Sequence, residues 1–447
     1  MVILDFLSNN FWILGVAIFI GVGFFGIKKR EKHHKHAKKS LEKTVKSGMT
    51  EPMTLHPEID PKKCGGCGAC TQVCPEGDIL RLINHKAVLV GPSKCVGHGE
   101  CEAVCPFGAI DLVFGTKTRG VEIPRVSTDY ETNVPGLYIA GELGGMGLIR
   151  NAMKQGTYAT EHAIKNIKTN QKTDCDILIV GSGPAGMACG LTAILHKKSY
   201  ICIEQNTFGG TVYNFPRQKI VMTHPADVPG YGKMTFPNNK VSKEQLLEYW
   251  NGLRKKSGME VKENTKFENL EKIDDYFKVV TTNGTFTAKK VIMCMGVRGS
   301  PRKLGVKNEE SAKVAYSLID PEQYKRQHVG VVGAGNAALE AAQMLGQKKY
   351  GNTVTLLVRG PVMDRCNEEN KNIILKMEKE GLVKIWYDAE VKEIFDSKII
   401  AKRGNETLDL ENNFLFIFAG AEMPFKFLMS LGIMIDKLFG ERKAKSS

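Results

Sequence analysis

The sequence predicts an α/β chain in which two strand–glycine turn–helix units are joined to a small cysteine-rich α+β module and one apolar N-terminal helix. Three observations lead there: the uncharged stretch Phe11–Ile27, two cysteine blocks between Cys64 and Cys105, and glycine-rich turns at Gly181 and Gly333 that each follow an apolar strand. With 447 residues, 42% hydrophobic and 25% charged, the chain is ordinary globular material, long enough for about three domains.

At the N-terminus, Phe11–Ile27 together with the apolar residues of Val2–Leu7 approaches the ~20 residues needed to cross a bilayer. Residues 28–46 hold nine Lys or Arg against Glu31 and Glu42, a net +7 that is half of the formal +14 of the chain. Beside an apolar stretch, such a run reads as the cytoplasmic flank of a span rather than as a nucleic-acid patch. No basic region precedes the stretch and no small-x-small cleavage site follows it, so a retained single-pass membrane anchor is expected, with the bulk of the chain in the cytoplasm. Ala17 and Gly21 form a small-xxx-small pair, the pattern of a helix–helix contact, and a homodimer is expected.

The cysteine module carries the most specific signal. Its first block is Cys64-x2-Cys67-x2-Cys70-x3-Cys74-Pro75, and its second is Cys95-x2-His98-x2-Cys101-x3-Cys105-Pro106, with a histidine in the place of the second cysteine. Blocks of this spacing wrap three ligands around one iron–sulfur cluster and send the fourth cysteine to the other cluster. Cys64, Cys67, Cys70 and Cys105 are therefore expected on cluster one, and Cys95, Cys101 and Cys74 on cluster two. His98 is either the fourth ligand of cluster two or a loop histidine beside a three-cysteine 3Fe-4S cluster. A neutral imidazole ligand would remove negative charge and raise the potential of that cluster. Structural zinc wants pairs grouped in fours, which this spacing does not supply. Residues 57–113 resemble the two-cluster 4Fe-4S ferredoxins. The other cysteines (Cys175, Cys189, Cys202, Cys294 and Cys366) are scattered singles, which points to a reducing compartment rather than a disulfide framework.

The first glycine turn follows the strand Asp176–Val180 and reads Gly181-Ser182-Gly183-Pro184-Ala185-Gly186 before a helix-forming stretch. Gly181 serves the tight turn, Gly183 the approach of backbone amides to a pyrophosphate, and Gly186 the close packing of helix on strand. Glu204 ends the next strand, where a carboxylate accepts hydrogen bonds from an adenosine ribose. Together these make a Rossmann-like dinucleotide site. A second one follows: the strand His328–Val332 leads into Gly333, Gly335, Asn336, Ala337 and Ala338, and the strand Thr353–Val358 ends on Arg359. An acid there would suit NAD, whereas arginine suits the 2′-phosphate of NADP, with Arg365 as a second cation, so NADPH is expected ahead of NADH.

Residues 120–436 resemble the thioredoxin-reductase-like flavoproteins, nearest to the bacillithiol-disulfide-reductase branch. The resemblance rests on Phe208–Pro216 with Gly210, on the hinge Met295-Gly296 leading to Pro301–Leu304, and on Leu356–Gly360. It implies FAD on the first site and NADP (or NAD) on the second. The order of the parts departs from the family: Thr132–Glu142 resembles the segment that closes the flavin site at the C-terminus, but here it precedes the first glycine turn. Phe418–Pro424 and Leu428–Asp436 resemble the passage that ordinarily comes just before that segment. The flavoprotein is expected to be circularly permuted, so that residues near Asp436 approach those near Val121. The resemblance also implies that Gly141 and Glu142, with a helix beginning near Met146, face the flavin.

The resulting plan is an anchor at 1–30, a basic juxtamembrane linker at 31–56, a ferredoxin-like module at 57–116, the permuted part of the FAD domain at 117–173, the FAD-binding domain at 174–298, the NAD(P)-binding domain at 299–417 and a return segment at 418–447. None of the five non-cluster cysteines forms a C-x-x-C pair, and Ala185 stands where the bacillithiol branch has a cysteine. Cys189 reads as a packed thiol, and Cys366, beside Arg365, as one whose pKa a cation would lower. The expected function is a membrane-anchored NAD(P)H-dependent flavin and iron–sulfur oxidoreductase exchanging electrons with an external redox protein or membrane complex. No side-chain general acid or nucleophile is needed for hydride transfer to a flavin. The alternatives are a cluster-fed disulfide reductase and a non-turnover subunit of a membrane complex.

Overall fold

The computed structural model describes residues 11–46, 50–52, 55–145, 147–222, 225–236, 240–297, 301–420 and 422–442. Val2–Leu7 and Met146 lie outside the described residues, as does the side chain of Ala17. The chain folds as two units, one of residues up to 112 and the other of residues from 113 onward, with the stretch around Leu55 belonging to the second.

The first unit opens on helix α1 (Phe11–Lys46), 36 residues without a break. Its second half is rich in helix-forming Lys, and Lys43 and Lys46 in the last turn complement the dipole. His34, Ala37, Leu41 and Thr44 recur at helical spacing and turn inward, with Ala37 fully buried and Thr44 Oγ1 donating to the Val90 carbonyl at 2.7 Å. Residues 31–46 are thus helix packed on the cysteine module, not the expected linker. Among the described residues no helix is long and apolar enough to cross a membrane. That finding overturns the expected anchor and the membrane localisation built on it. The apolar residues are one end of a longer helix that runs directly into the charged half, and Phe19 and Phe25 on it are exposed.

Strand β1 (His56–Ile59), helix α2 (Ala69–Val73), the hairpin of β2 (Leu80–Ile83) and β3 (Lys86–Leu89), helix α3 (Glu100–Ala103) and the first half of strand β4 (Ile110–Phe114) complete this unit. The hairpin closes through Asn84 and His85, both at positive φ, the conformation of a two-residue primed turn. Each one-turn helix follows a glycine in the left-handed region and carries the third ligand of its block inward. Ile79, Leu80, Ala87 and Ile110 form the core between the two cysteine groups.

The second unit holds two α/β layers. Strand β5 (Val121–Pro124) is followed by β6 (Leu137–Ile139), helix α4 (Ile149–Lys165), β7 (Cys175–Val180), helix α5 (Pro184–Leu195) and β8 (Tyr200–Ile203). An antiparallel meander of β9 (Phe267–Ile273), β10 (Tyr276–Thr281) and β11 (Gly284–Met293) extends the same sheet, with β6 and β7 both parallel to β11. A five-stranded parallel sheet is built around β12 (His328–Val332), which feeds helix α6 (Asn336–Leu345) and lies between β13 (Thr353–Leu357) and β14 (Phe414–Ile417). Parallel strands covered on both faces read as continuous apolar runs, which is why Ile177–Val180 and Val329–Val331 are almost wholly buried. Finally β15 (Ile435–Leu438) pairs antiparallel with β5, Asp436 opposite Ile123, as expected from the approach of Asp436 to Val121.

Candidate functional site

The eight predicted ligands sort into two cavities. Cavity one, of about 310 Å³ with its mouth included, is lined by Cys64, Cys67, Cys70 and Cys105 together with Leu82 and Phe107. Cavity two, of about 350 Å³ measured the same way, is lined by Cys74, Cys95, His98 and Cys101 together with Glu76 and Glu100. The fourth cysteine of each block therefore sits in the cavity of the other block, as the spacing predicts. The physical cause is the Cys-Pro turn that ends each block, because proline stops the short helix and sends the chain away from its own loop.

Among the described residues, no three His, Cys, Asp or Glu side chains converge tightly enough to hold a single metal ion. Each set of four lines one cavity, the donor set that an iron–sulfur cluster takes. Burial, with the neighbouring Cys64, Cys67 and Cys105, pushes the Cys70 thiol up to about 11. Burial likewise takes Cys95 to about 11 and Cys101 to about 12, and raises Cys74. Without a cation to balance them these thiols stay protonated at neutral pH, so the donor set is suited to carrying charge only with a bound metal. Backbone amides of Ala87 and Ala109 donate to the sulfurs of Cys64 and Cys105 at 3.4 Å each.

At the first glycine turn, Gly181 adopts φ +99 with its missing side chain facing the Cys294 carbonyl, and a Cβ on Gly186 would collide with the Gly181 carbonyl oxygen. A Cβ on Gly183 would meet nothing within 4 Å, so that face of the turn is open for a phosphate. Pro184 begins α5, and Ala185 is buried beneath it. Glu204 is buried behind the turn, where one oxygen accepts from the Ser182 amide at 2.8 Å and its hydroxyl at 3.0 Å, and the other from the Asn206 amide at 3.2 Å. The carboxylate thus braces the turn. Gly210 passes beside Gly183, an added Cβ coming 3.3 Å from its Cα.

Gly141 and Glu142 lie at the end of β6, next to this turn. The Gly141 amide donates to Gln155 Oε1 at 2.8 Å, and Gly156 on α4 packs against the Ala185 carbonyl. The helix behind Glu142 begins at Ile149, close to the expected start, and Met146 itself lies outside the described residues. Gln155 and Gly156 escaped the sequence reading, although a glycine within an otherwise helical stretch signals close helix packing. Gly296, at φ +66, follows the end of β11.

At the second turn, Gly333 adopts φ +136 against the Phe418 carbonyl, Ala338 is fully buried, and Asn336 and Ala337 are exposed. Asn336 Oδ1 accepts from the Asn367 amide at 2.8 Å, which ties α6 to the loop carrying Arg365. Arg359 and Arg365 are both exposed, and the Arg365 carbonyl lies beside Gly335. Cys366 departs from expectation: it is buried and its thiol is pushed up, because desolvation outweighs the lowering effect of nearby Lys371. Cys189 is fully buried as expected, its sulfur 3.6 Å from that of Cys294.

Comparison with known proteins agrees with both halves of this picture. Residues 56–106 match the family described as 4Fe-4S dicluster domain, and residues 178–441 match pyridine nucleotide-disulphide oxidoreductase. The bacilliredoxin reductase Bdr of Bacillus subtilis is 27% identical over 278 residues, 59% of this chain and 82% of that protein. A ferredoxin–NADP reductase of Ignicoccus hospitalis is 30% identical over 268 residues, 58% of this chain and 81% of that protein. The solved structure of the bacillithiol disulfide reductase Bdr of Staphylococcus aureus shares the fold, with a TM-score of 0.54 at 22% identity over 59% of this chain and 81% of that one. A turn built on Gly181, Gly183 and Gly186 with Glu204 behind it, a second at Gly333, and a family match over more than half of the residues lead to one conclusion: the chain belongs to the pyridine nucleotide-disulphide oxidoreductase family.

Proposed function

We propose that this protein is an NAD(P)H-dependent flavin and iron–sulfur oxidoreductase that moves electrons between a nicotinamide nucleotide, FAD, two clusters and an external redox protein. The observation that carries the reading is the sorting of eight ligands into two cavities in a chain that also holds two dinucleotide turns. When bound, FAD supplies the conversion of a two-electron hydride into single electrons, and the clusters supply one-electron sites. The chain's own residues do the rest. Gly181 and Ser182 shape the turn, their amides bonded to the Ile203 carbonyl and to Glu204, Gly183 offers the open backbone at the start of α5 to the FAD pyrophosphate, Glu204 holds the turn and its ribose, and Gly141 and Glu142 border the ring. Gly333, Gly335 and Asn336 receive the second nucleotide, while Arg359 and Arg365 take the 2′-phosphate of NADPH. Cys64, Cys67, Cys70 and Cys105 hold cluster one, and Cys74, Cys95, Cys101 and His98 hold cluster two.

The reading includes a circular permutation, supported by the position of β6 and α4 before the first glycine turn and by the pairing of β15 with β5. Named relatives that are ferredoxin–NADP reductases make a small iron–sulfur protein the favoured external partner. A cluster-fed disulfide reductase would need a reactive thiol, and burial of Cys189 and Cys366 counts against it. The test is anaerobic mixing of the full chain with NADPH or NADH while following flavin absorbance and cluster paramagnetic resonance. Flavin bleaching followed by cluster signals is expected, faster with NADPH. Flavin and clusters unchanged by both nucleotides would overturn the assignment.

A further inference from the structure

Cavity two differs from cavity one in holding an imidazole and two carboxylates among its lining groups. The His98 side chain is only 8% exposed, and its Nε2 lies 3.6 Å from Oε1 of Glu76, whose side chain is 37% exposed. Glu76 stands two residues after Cys74, in the turn closed by the Gly77 amide on the Cys74 carbonyl at 3.2 Å. The turn that carries a thiol out of the first block into cavity two therefore carries a carboxylate with it, and that carboxylate meets the one non-cysteine candidate ligand of the second block. A metal-bound imidazole ordinarily gives its other ring nitrogen to a carboxylate or carbonyl, and that contact decides which nitrogen faces the metal.

We infer that Glu76 is a positioning residue for His98, accepting from Nε2 so that Nδ1 is turned to the iron of cluster two. The inference rests on the reading of His98 as a ligand. Its consequences are a fixed ring orientation and a more electron-donating imidazole, so Glu76 acts on the cluster through His98 and not only as a nearby charge. Glu100, which lines the same cavity, supplies the control for plain charge.

The experiment uses the full chain carrying both clusters, chemically reduced, with pulsed paramagnetic resonance reading nitrogen hyperfine coupling and a redox titration reading the potential of cluster two. Wild type should show a strongly coupled nitrogen that is lost in H98C. E76Q should change that coupling and shift the potential upward, E76D should fall between E76Q and wild type, and E100Q should shift the potential without changing the coupling. In an H98C background, the E76Q shift should shrink to that of E100Q. No strongly coupled nitrogen in wild type would overturn the ligand reading and this inference with it. Nitrogen coupling present in wild type but unchanged in E76Q, or an equal E76Q shift with and without His98, would overturn the role of Glu76 alone. Cluster two lost from E76Q but kept in E76D supports the proposal, and equal loss from both contradicts it.

Discussion

Cavity one and cavity two are built on the same loop and end with different linings. The first offers four thiols among Leu82, Phe107 and Ile110, and the second offers three thiols, the His98 imidazole and the carboxylates of Glu76 and Glu100. The two dinucleotide turns diverge in a similar way. Glu204 closes the turn at Gly181, whereas Arg359 follows the strand after the turn at Gly333. In both pairs the backbone device is kept and one charge is changed. The difference teaches that the loop decides what class of group is held, while a single side chain decides its charge preference. An imidazole in place of a thiolate removes negative charge from a cluster, and a guanidinium in place of a carboxylate welcomes a phosphate.

The largest effect is expected from breaking the exchange of ligands between the blocks. Cys74→Ser, though in the first block, should cost the cluster of cavity two and spare that of cavity one, and Cys105→Ser should do the reverse, each removing about half of the iron. Iron assay with paramagnetic resonance reads this directly. Loss of the same cluster from Cys74→Ser and Cys64→Ser would dissolve the comparison.

Next in size is the contrast between the two turns. Arg359→Ala should raise KM for NADPH about 10- to 100-fold, the worth of one charged hydrogen bond, with KM for NADH nearly unchanged. Equal changes for both nucleotides in steady-state kinetics would remove Arg359 from phosphate recognition.

His98→Cys makes cavity two chemically like cavity one and should lower its cluster potential toward that of its neighbour. A potential that stays in place would mean that His98 is not a ligand.

The smallest effect serves as a control outside both pairs of sites. Arg125 bonds Asp436 through Nε at 2.9 Å and holds its carboxyl below the usual carboxylate range, fastening β15 to β5. The folded-state value lies below the unfolded one, so this stabilisation is complete above about pH 4 and is lost as pH falls through the depressed value. Asp436→Asn should leave cluster potentials and nucleotide KM values intact while flattening the acid-side fall in melting temperature. A steeper acid fall in the variant would contradict the sign of this coupling.

Much of the site was legible because its chemistry is written in spacing. The intervals among Cys64, Cys70 and Cys74 force both the loop and the departure of the fourth cysteine, and Gly181, Gly183 and Gly186 each answer a separate steric demand. The partnership of Glu76 with His98 was not legible, since it depends on how two loops fold toward one cavity. Gln155 supports Gly141 from a helix fourteen residues further along the chain, a contact no local pattern encodes. The N-terminal stretch misled for a related reason: a hydropathy window sees the apolar residues but not that one helix carries them into a charged half docked through Ala37 and Thr44. Cys366 misled because proximity to Arg365 in sequence says nothing of its burial, which sets its pKa.

The account stands most directly on a redox titration of the intact chain monitored by paramagnetic resonance, repeated on Cys67→Ser and Cys101→Ser. It predicts two separate one-electron transitions, the higher lost in Cys101→Ser and the lower in Cys67→Ser. A single transition, or a higher one that survives in Cys101→Ser and vanishes in Cys67→Ser, would contradict it.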